Sequence, residues 1–559
     1  MTISSVGNRI GGTSLRQILL RYVERWTFNY RTAAVVLLVA AAVVAFLTFE
    51  DYGVTWDEQV QNDYGKMVLN YYLTGFQDRS ALTFFDLWLY GGLFDSVAAA
   101  LNKFSQLGEY ETRHLLNAIT GLVGVIGCWK LARQYGGDRG AFWAMTLLLL
   151  IPTWYGDMFN NPKDVPFAAC FVWSLYYLAA AIPTQPRPPF SLCLRLGLAI
   201  GLCLGVRVGG LLLFVYMAIL GVSFLWLAFR AHRDLGTSVR QLRDGVVHFA
   251  LPTLLIAYPV MLLFWPWAQS APFSHPFEAL RRFSELPQQI EVLFNGHVYT
   301  SDHLPWYYLP ETLAIRLPEL VLAALAGGLA LALLRLRQGG WRLERDGILR
   351  AELLVLAIAW PLAYVILTHA HMFDGMRHFI FLLPPIAVVA GISLDRMMQY
   401  AARWGHALLA LYVATGLFLS YQVWLMASLH PDQYVYYNEL VGGVDDAAGR
   451  FEMDYWGNSL AEAVHALESE LRETYGENFD KHQFKIRVCD APFSAKYFFP
   501  PNFKLTNSDL QADFYIAFTR YNCHKSLRGL EIYRVERLGA LLAVVLDRRY
   551  LKSGPVAHR

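Results

Sequence analysis

Long runs of apolar residues recur along most of the chain and are separated by short polar connectors. About 20 apolar residues in a helix cross a bilayer core of about 30 Å, so runs of this length predict membrane spans. The sequence contains eleven such runs, which predicts a polytopic α-helical membrane protein. The predicted spans cover residues 32–49, 113–133, 140–156, 165–183, 190–206, 209–229, 247–266, 314–334, 351–368, 378–394 and 406–427.

The charges between these spans predict the orientation. With eleven spans, the arginine-rich connectors all fall on one side, which the positive-inside rule assigns to the cytoplasm. Segment 50–111 falls on the other side and carries ten acids against three basic residues. We therefore expect the N-terminus inside and the C-terminus outside. The arginines on the inner side are Arg9, Arg16, Arg21, Arg25, Arg31, Arg230, Arg233, Arg240, Arg243, Arg335, Arg337, Arg342, Arg345, Arg350, Arg396 and Arg403.

The first span and two of the outer segments have further sequence signals. About thirty residues precede the first span and no small-x-small cleavage signal follows it, so we expect an anchor and not a removed signal peptide. Segment 50–111 contains amphipathic stretches at 57–75 and 83–103, which we expect to lie in the membrane interface and pack on the spans. Segment 267–311 has prolines between aromatic residues and suits an ordered loop.

The third outer segment is the tail 430–559, which is long enough for a small α/β domain. Asn458 or Ser459 followed by Glu462 resembles a capping box, which predicts a helix to about Tyr475. Four segments have the β-branched, aromatic or alternating character of strands: 484–489, 512–519, 530–537 and 540–547.

Composition agrees with a membrane protein and excludes other classes. The chain is 55% hydrophobic and 16% charged, against about 25% charged in soluble domains. The net charge of +2 and the absence of a continuous basic face argue against a nucleic-acid partner. Cys489 and Cys523 are predicted to pair, because the tail is expected in an oxidising compartment. No Cys-x-x-Cys or zinc-type spacing occurs, so we expect no structural metal.

Acidic residues near the outer ends of spans are the first candidates for chemistry. Asp57 and Glu58 form an adjacent pair shortly after the first span, where partial burial and mutual repulsion could prepare a general base. The ordinary alternative is a solvated helix start, where acids are favoured by the helix dipole. Asp157, Lys163 and Asp164 crowd the short link between the third and fourth spans, and the alternative there is a set of loop and cap residues.

Basic residues on the outer side are the second group of candidates. Arg207 lies between the fifth and sixth spans, against the positive-inside trend, which suggests an anionic partner. Arg377 and His378 stand at the head of the tenth span and suit a phosphate at the membrane surface, with lipid-headgroup snorkelling as the alternative for Arg377. His369, His371 and Asp374 lie just before them, but three ligands from one loop without a fourth are weak grounds for a metal site.

The predicted topology brings these acids and bases to one face of the bilayer. A carboxylate base beside a cationic phosphate clamp is what sugar transfer from a lipid-phosphate donor requires. The base removes a proton from the acceptor, and the cations stabilise the charge that grows on the leaving phosphate. The combination therefore favours a glycosyltransferase.

Several separated motifs resemble the GT-C superfamily of membrane glycosyltransferases, nearest to bacterial relatives of protein O-mannosyltransferases and lipid A aminoarabinose transferases. The resemblance spans about 50–457, and its order along the chain matches the family. The motifs are Trp56-Asp57-Glu58, Asn161-Pro-Lys-Asp164-Val-Pro-Phe, Gly205-Val-Arg207, Met376-Arg377-His378 followed by Leu383-Pro-Pro, and the string from His430 to Gly443.

The resemblance implies a role for each matched residue. It implies that Asp57 is the catalytic base with Glu58 as a helper, that Asp164 is the acid of the second outer loop, and that Arg377 binds phosphate. It further implies direct displacement, with inversion, of a sugar from a polyprenyl-phosphate donor. The β-trefoil module of eukaryotic protein O-mannosyltransferases has no room in 267–311. The acceptor is therefore expected to be an extracytoplasmic glycan, a lipid-linked saccharide or a lipopolysaccharide component.

The expected protein has two parts in a bacterial inner membrane, a GT-C catalytic domain at 1–429 and a periplasmic α/β domain at 430–559. Its expected partners are the donor, the acceptor and membrane lipids. No cofactor is assigned, and a divalent cation is left open. The main alternative is a transporter or flippase of an anionic lipid or glycan, which would place charges at the midplane of broken helices. A ligase that moves a whole glycan from a lipid diphosphate is a third hypothesis.

Overall fold

A computed structural model describes residues 29–284, 289–339 and 344–551. Of the arginines used to predict orientation, Arg9, Arg16, Arg21, Arg25 and Arg342 lie outside the described residues. Helices dominate up to residue 475, and a small sheet follows in the rest of the tail.

The helices before the tail alternate between long apolar segments and short connecting ones. Those up to the middle of the chain are α1 (Tyr30–Thr48), α2 (Trp56–Leu73), α3 (Leu93–Asn102), α4 (Glu109–Leu149), α5 (Pro152–Asn160), α6 (Asp164–Ala181), α7 (Phe190–Leu204), α8 (Leu212–His232), α9 (Leu235–Gly245), α10 (Leu251–Leu263), α11 (Pro266–Ser270) and α12 (His275–Ser284). A π-helical turn, Val246–Ala250, joins α9 to α10. The next ones are α13 (Tyr308–Arg316), α14 (Glu319–Arg337), α15 (Arg345–Thr368), α16 (Leu383–Ala401) and α17 (Gly405–Ser428).

Among the described residues, nine helical segments have the length and hydropathy of a membrane span. One of them, α4, is a hairpin of two helices, because Gly137 at φ 64° breaks the helical backbone. Cys128 Sγ lies 4.0 Å from Ala144 O, whereas sixteen residues of continuous helix would separate them by about 24 Å. The apolar helix α7 has only 15 residues. The hairpin and α7 account for the difference from the eleven predicted spans, and the prediction of a polytopic membrane protein is confirmed.

Prolines shift two of the predicted span boundaries. The span predicted at 140–156 ends at Leu149, and Pro152 starts the short helix α5. The span predicted at 314–334 is divided between α13 and α14, with Pro318 at the boundary. Proline has no backbone N–H to donate, and it disfavours helical backbone in the residue before it.

The centre of the helical bundle is formed by α16, which packs against the α4 hairpin and α14. Gly391 of α16 crosses so close to α4 that a Cβ there would lie 2.2 Å from the backbone nitrogen of Ala144. Asp164–Thr184 and Arg377–Ala401 are the two most buried candidate spans. The helical segments that begin at Asp164 and Arg377 are therefore surrounded by other parts of the protein over most of their length.

Segment 50–111 folds over one end of the bundle, which we call the loop face. Its two predicted amphipathic stretches contain α2 and α3. The buried Asp95 of α3 pairs with Arg113 of α4, Oδ1 to Nη2, at 2.7 Å. The backbone N–H groups of Gly92 and Leu93 donate to Phe264 O and Gly205 O at 2.7 and 3.1 Å. These contacts join the segment to three separate helix ends.

The predicted ordered loop 267–311 also contains a β-hairpin that the prediction missed. Strands β1 (Glu291–Phe294) and β2 (His297–Thr300) pair antiparallel. Asn295 and Gly296 form the two-residue turn, both with positive φ. This Asn-Gly pair is a strong hairpin signal that was available in the sequence.

The tail contains a five-stranded sheet with one long helix and two short helices packed against it. Its helices are α18 (Gly443–Ala447), α19 (Leu460–Tyr475) and α20 (Pro492–Lys496), and its strands are β3 (Phe484–Val488), β4 (Phe503–Leu505), β5 (Phe514–Phe518), β6 (Leu530–Arg537) and β7 (Ala540–Asp547). The strand order is β4-β3-β5-β7-β6, parallel among the first three and antiparallel among the last three. The four predicted strands are confirmed, while the short β4 was missed.

Two other predictions for the tail have different outcomes. The disulfide is confirmed, because Cys489 and Cys523 are bonded. The capping box is wrong: Ser459 has no side-chain cap contact with the helix and binds the carboxylate of Asp454.

The start of the tail is joined to the helical bundle. Arg316 at the end of α13 donates to Tyr437 Oη at 2.7 Å. Gly53 N, just after the first span, donates to Asn458 Oδ1 at 2.8 Å. A Cβ at Gly53 would lie 2.2 Å from Asn458 O, so this approach requires glycine. The division at 429/430 into two domains stays a prediction.

Candidate active site on the loop face

Asp57 is held in the first turn of α2 by the cap of that helix. Thr55 is the N-cap, and the Glu58 carboxylate accepts from Thr55 N at 2.8 Å, which completes a capping box. Glu58 is fully buried and also contacts His114 Nε2 at 3.2 Å. Glu58 therefore fixes the backbone that carries Asp57, while its own carboxylate is engaged with Thr55 and His114.

The Asp57 carboxylate meets Arg377, which is 320 residues away in sequence. Arg377 Nη1 donates to Asp57 Oδ2 at 2.6 Å. The Arg377 side chain is 9% exposed and that of Asp57 is 33% exposed, so the pair lies at the edge of the interior. The guanidinium also lies 5.1 Å from the ring centres of Phe373 and Trp456, which limit its motion.

Electrostatics keeps Asp57 ionised. Burial by itself raises the pKa of Asp57, but the charge and hydrogen bond of Arg377 outweigh it, with smaller contributions from Lys163 and Arg520. The pKa of Asp57 is lowered as a result. The carboxylate can therefore accept a proton at neutral pH.

Two further residues extend the pair into a row of alternating charges. Arg377 Nη2 contacts Asp374 Oδ2 at 2.9 Å, and Arg520 Nη2 contacts Asp374 Oδ1 at 2.6 Å. We call Asp57, Arg377, Asp374 and Arg520 the charge row. The sequence analysis gave Asp374 only as a weak candidate for a metal ligand. It did not predict a role for Arg520.

A second ion pair lies beside the charge row. Arg207 Nη1 contacts Asp164 Oδ1 at 2.8 Å. Lys163 Nζ lies 4.0 Å from the ring centre of Tyr90, and the Arg207 guanidinium lies 5.6 Å from the same centre. Burial lowers the pKa of Lys163 to about 8, while Asp95 opposes this effect and Arg207 adds to it.

Tyr90 lies between the two sets of charges. Burial raises the pKa of Tyr90, and the charges of Arg207, Asp164, Arg377 and Asp57 all act on it. The structure thus brings together five of the predicted site residues on the loop face. They are Asp57, Lys163, Asp164, Arg207 and Arg377.

The other predicted site residues occupy different surroundings. Asp157 is fully buried in α5, and among the described residues neither carboxylate oxygen has a hydrogen-bond partner. Burial and the nearby Asp164 raise the pKa of Asp157 well above its ordinary value. The ring of His378 packs edge-on against Phe373, with 4.8 Å between ring centres.

Within the described ranges, no group of three or more His, Cys, Asp and Glu side chains is arranged to hold a metal ion. Asp374, one of the three residues weighed for a metal, is bonded to two arginines. The Asp374 carboxylate therefore neutralises guanidinium groups.

Residues 104–259 match a family model described as dolichyl-phosphate-mannose-protein mannosyltransferase. The match covers just over a quarter of the chain. It includes Asp157, Lys163, Asp164 and Arg207, and it leaves out Asp57 and Arg377. The match confirms the resemblance of this chain to GT-C membrane glycosyltransferases. No curated protein matches the chain in sequence.

Solved structures of two proteins are similar to this chain in overall shape. ArnT from Cupriavidus metallidurans, bound to undecaprenyl phosphate, is 15% identical with a TM-score of 0.48, covering 92% of this chain and 98% of its own. AglB, the oligosaccharyltransferase from Archaeoglobus fulgidus, in complex with an inhibitory peptide and a dolichol-phosphate, is 12% identical with a TM-score of 0.46, covering 88% and 70%.

Proposed function

We propose that this protein is a glycosyltransferase that moves a sugar from a polyprenyl-phosphate donor to an extracytoplasmic acceptor. The observation that carries the proposal is the contact between Asp57 and Arg377 at 2.6 Å. It joins an ionised carboxylate to a cation at the end of a buried helix, on the face that gathers the other candidate residues. A proton acceptor beside an anion site is the arrangement that this reaction needs.

In the proposed step, an acceptor hydroxyl oxygen attacks the anomeric carbon of the donor sugar. The bond from that carbon to the phosphate oxygen breaks, and its electron pair leaves with the phosphate. The hydroxyl proton passes to the Asp57 carboxylate, and the product polyprenyl phosphate keeps the added negative charge. Arg377 stabilises this charge, because a guanidinium binds phosphate oxygens through paired N–H donors. Attack opposite to the leaving phosphate gives inversion.

The remaining site residues take supporting roles in this proposal. Arg207 and Lys163 supply further positive charge for the phosphate, and Asp164 orients Arg207 through their contact at 2.8 Å. Glu58 acts as a helper through the cap that holds Asp57. His378 borders the substrate in this proposal, whereas the fully buried and neutral Asp157 supports the site from the interior.

We further propose that the loop face is periplasmic and that the membrane is a bacterial inner membrane. Arg139, next to the hairpin turn of α4, pairs at 2.5 Å with Asp395, near the end of α16 that is remote from Arg377. Arg350 at the start of α15 donates to Gln134 O at 2.9 Å. Arg350 is one of the predicted inner-side arginines, and Arg139 adds a further arginine at the end of the bundle opposite to the site, which supports the proposed orientation.

The transporter hypothesis is less well supported than the transferase. A transporter places its charged groups near the midplane of interrupted helices. Here Asp164 and Arg377 begin their helical segments, and Arg207 precedes α8. In this proposal these positions correspond to the membrane surface.

The proposal is tested by binding and by envelope composition. We expect the full-length protein in nanodiscs to bind undecaprenyl phosphate, and Arg377→Ala to weaken that binding at least about tenfold, because charged hydrogen bonds contribute about 1.5–3 kcal/mol. Mass spectrometry of envelope lipids and glycans should show a sugar that disappears in cells lacking the protein. Equal affinity of wild type and variant, or an unchanged envelope, would contradict the proposal.

A further inference from the structure

The charge row ends on a residue of the tail. Arg520 lies two residues after the end of β5 and is 6% exposed. Its Nη1 donates to Tyr455 O at 2.6 Å, and its Nη2 donates to Asp374 Oδ1 at 2.6 Å. Its guanidinium lies 4.6 Å from the ring centre of Trp56, the residue next to Asp57. One tail side chain therefore contacts the start of α2, which carries the proposed base Asp57, and the segment before Arg377, the proposed phosphate ligand.

We propose that Arg520 is a positioning residue of the donor site, which holds Asp374 and through it sets the Arg377 guanidinium for a polyprenyl phosphate. The inference rests on the proposed function and deepens it. It gives the tail a part in donor binding, in addition to any role toward the acceptor.

The bonding of Asp374 shows why Arg520 matters. Asp374 is fully buried, with one carboxylate oxygen on each arginine. With Arg520 present, two acids and two arginines balance in the charge row. Without Arg520, Asp374 and Asp57 would share one guanidinium. Arg377 would then be held more tightly by acids, and the excess negative charge would repel a phosphate.

The local backbone is built to deliver Arg520 to this position. Tyr521 and Asn522 follow it with φ of 51° and 56°, in the left-handed region that residues other than glycine rarely adopt. Cys523 comes next and is bonded to Cys489, just after β3. The disulfide anchors the far side of this tight loop to the sheet. Unfavourable backbone of this kind persists where the surroundings enforce it, as at ligand sites.

The test compares Arg520→Gln and Arg520→Lys with a matched control in the full-length protein. Arg548→Gln is the control, because Arg548 is also a buried tail arginine, 8% exposed, but it donates to backbone carbonyls of Arg528 and Asp509. The probe is undecaprenyl phosphate added to nanodiscs. Binding is followed by tryptophan fluorescence, since Trp56 and Trp456 lie against Arg520 and Arg377.

We expect Arg520→Gln to weaken binding at pH 7 at least about tenfold, Arg520→Lys to recover part of the loss, and Arg548→Gln to bind like wild type. The pH profile should also move. Protonation of Asp57 in acid releases Arg377, so we expect undecaprenyl phosphate to bind more tightly at low pH. In Arg520→Gln this rise in affinity should begin at higher pH, because Arg520 no longer helps to lower the pKa of Asp57. A purely structural role would lower the melting temperature and leave this profile unmoved.

Wild-type affinity and an unmoved profile in folded Arg520→Gln would overturn the inference and leave the proposed function standing. If Arg520→Gln does not fold, Arg520→Lys takes its place, because it keeps a cation beside the buried acid but lacks the planar guanidinium. We then expect an affinity below that of wild type, and wild-type affinity of Arg520→Lys would overturn the inference. Failure of the wild type to bind undecaprenyl phosphate would overturn the proposed function, and this inference with it.

Discussion

Replacing Asp57 by Asn separates catalysis from donor binding. The substitution keeps the shape of the side chain but removes the proton acceptor and the charge that faces Arg377 at 2.6 Å. A general base contributes about 10²–10⁴ in rate, which corresponds to about 3–5 kcal/mol at 1.36 kcal/mol for each tenfold change. We therefore expect turnover to fall at least about 100-fold.

Donor binding should move in the opposite direction or not at all. Arg377 keeps Asp374 as a partner at 2.9 Å but loses one of its two acids, so more of its donor capacity is free for a phosphate. We expect the affinity for undecaprenyl phosphate to stay equal or to rise by up to about fivefold, since exposed ion pairs contribute at most about 1 kcal/mol and this one is a third exposed on the acid side.

The assay is turnover of the lipid-linked sugar identified by envelope profiling, with protein in nanodiscs and an envelope extract as acceptor. Asp78→Asn is the matched control, because Asp78 lies in the same segment but bonds its neighbour Ser80 N at 3.0 Å. Since the pKa of Asp57 is lowered, ionisation of the base should limit the wild-type rate only below about pH 4. Turnover of Asp57→Asn within about threefold of wild type would refute the assignment of Asp57 as the base.

Two further predictions concern stability. In the Cys489→Ser, Cys523→Ser double variant, the free energy of unfolding should fall by about 4 kcal/mol, because the disulfide closes a loop between residues 34 positions apart. Thermal melts with Cys170→Ser as the control measure this loss. An unchanged melting temperature would contradict it. Asp157→Asn should melt higher than wild type at pH 7. Because the pKa of Asp157 is raised in the folded protein, the wild type loses stability as the pH rises above about 4. The higher melting temperature of Asp157→Asn should therefore vanish near pH 3. Equal melting temperatures at pH 7 would contradict the raised pKa of Asp157.

The sequence alone determined where the chain crosses the membrane. Each span must satisfy its own backbone hydrogen bonds and bury its own side chains in lipid, so the signal is local and periodic. The helix ends were less predictable. Prolines at 152 and 318 divided or shortened predicted spans, and α7 is shorter than a full crossing.

The tail shows the same contrast between local and distant information. Four strands and the pairing of Cys489 with Cys523 followed from local patterns and from the small number of tail cysteines. The predicted cap of α19 was wrong, because the Ser459 hydroxyl binds Asp454 instead of the helix end. A buried acid upstream competed for the hydroxyl, and no local pattern reports that competition.

At the proposed site, residue type and predicted sidedness were sufficient to select Asp57, Asp164, Arg207 and Arg377. Their pairing was decided only by the tertiary structure, which joins Asp57 to Arg377 across 320 residues. Glu58 illustrates the limit, since adjacency to Asp57 suggested shared chemistry, whereas the helix turns its carboxylate to Thr55 and His114.

Arg520 is the clearest case of what sequence could not supply. It is one of many arginines in a tail with no motif around it, and its importance comes from a fully buried acid in another loop. A buried carboxylate must find cations wherever the fold brings them, and that requirement has no sequence spacing. Local hydrophobic pattern therefore determined the membrane architecture. The tertiary packing of the loop face decided how its charges are paired, and the packing of the tail onto that face added Arg520.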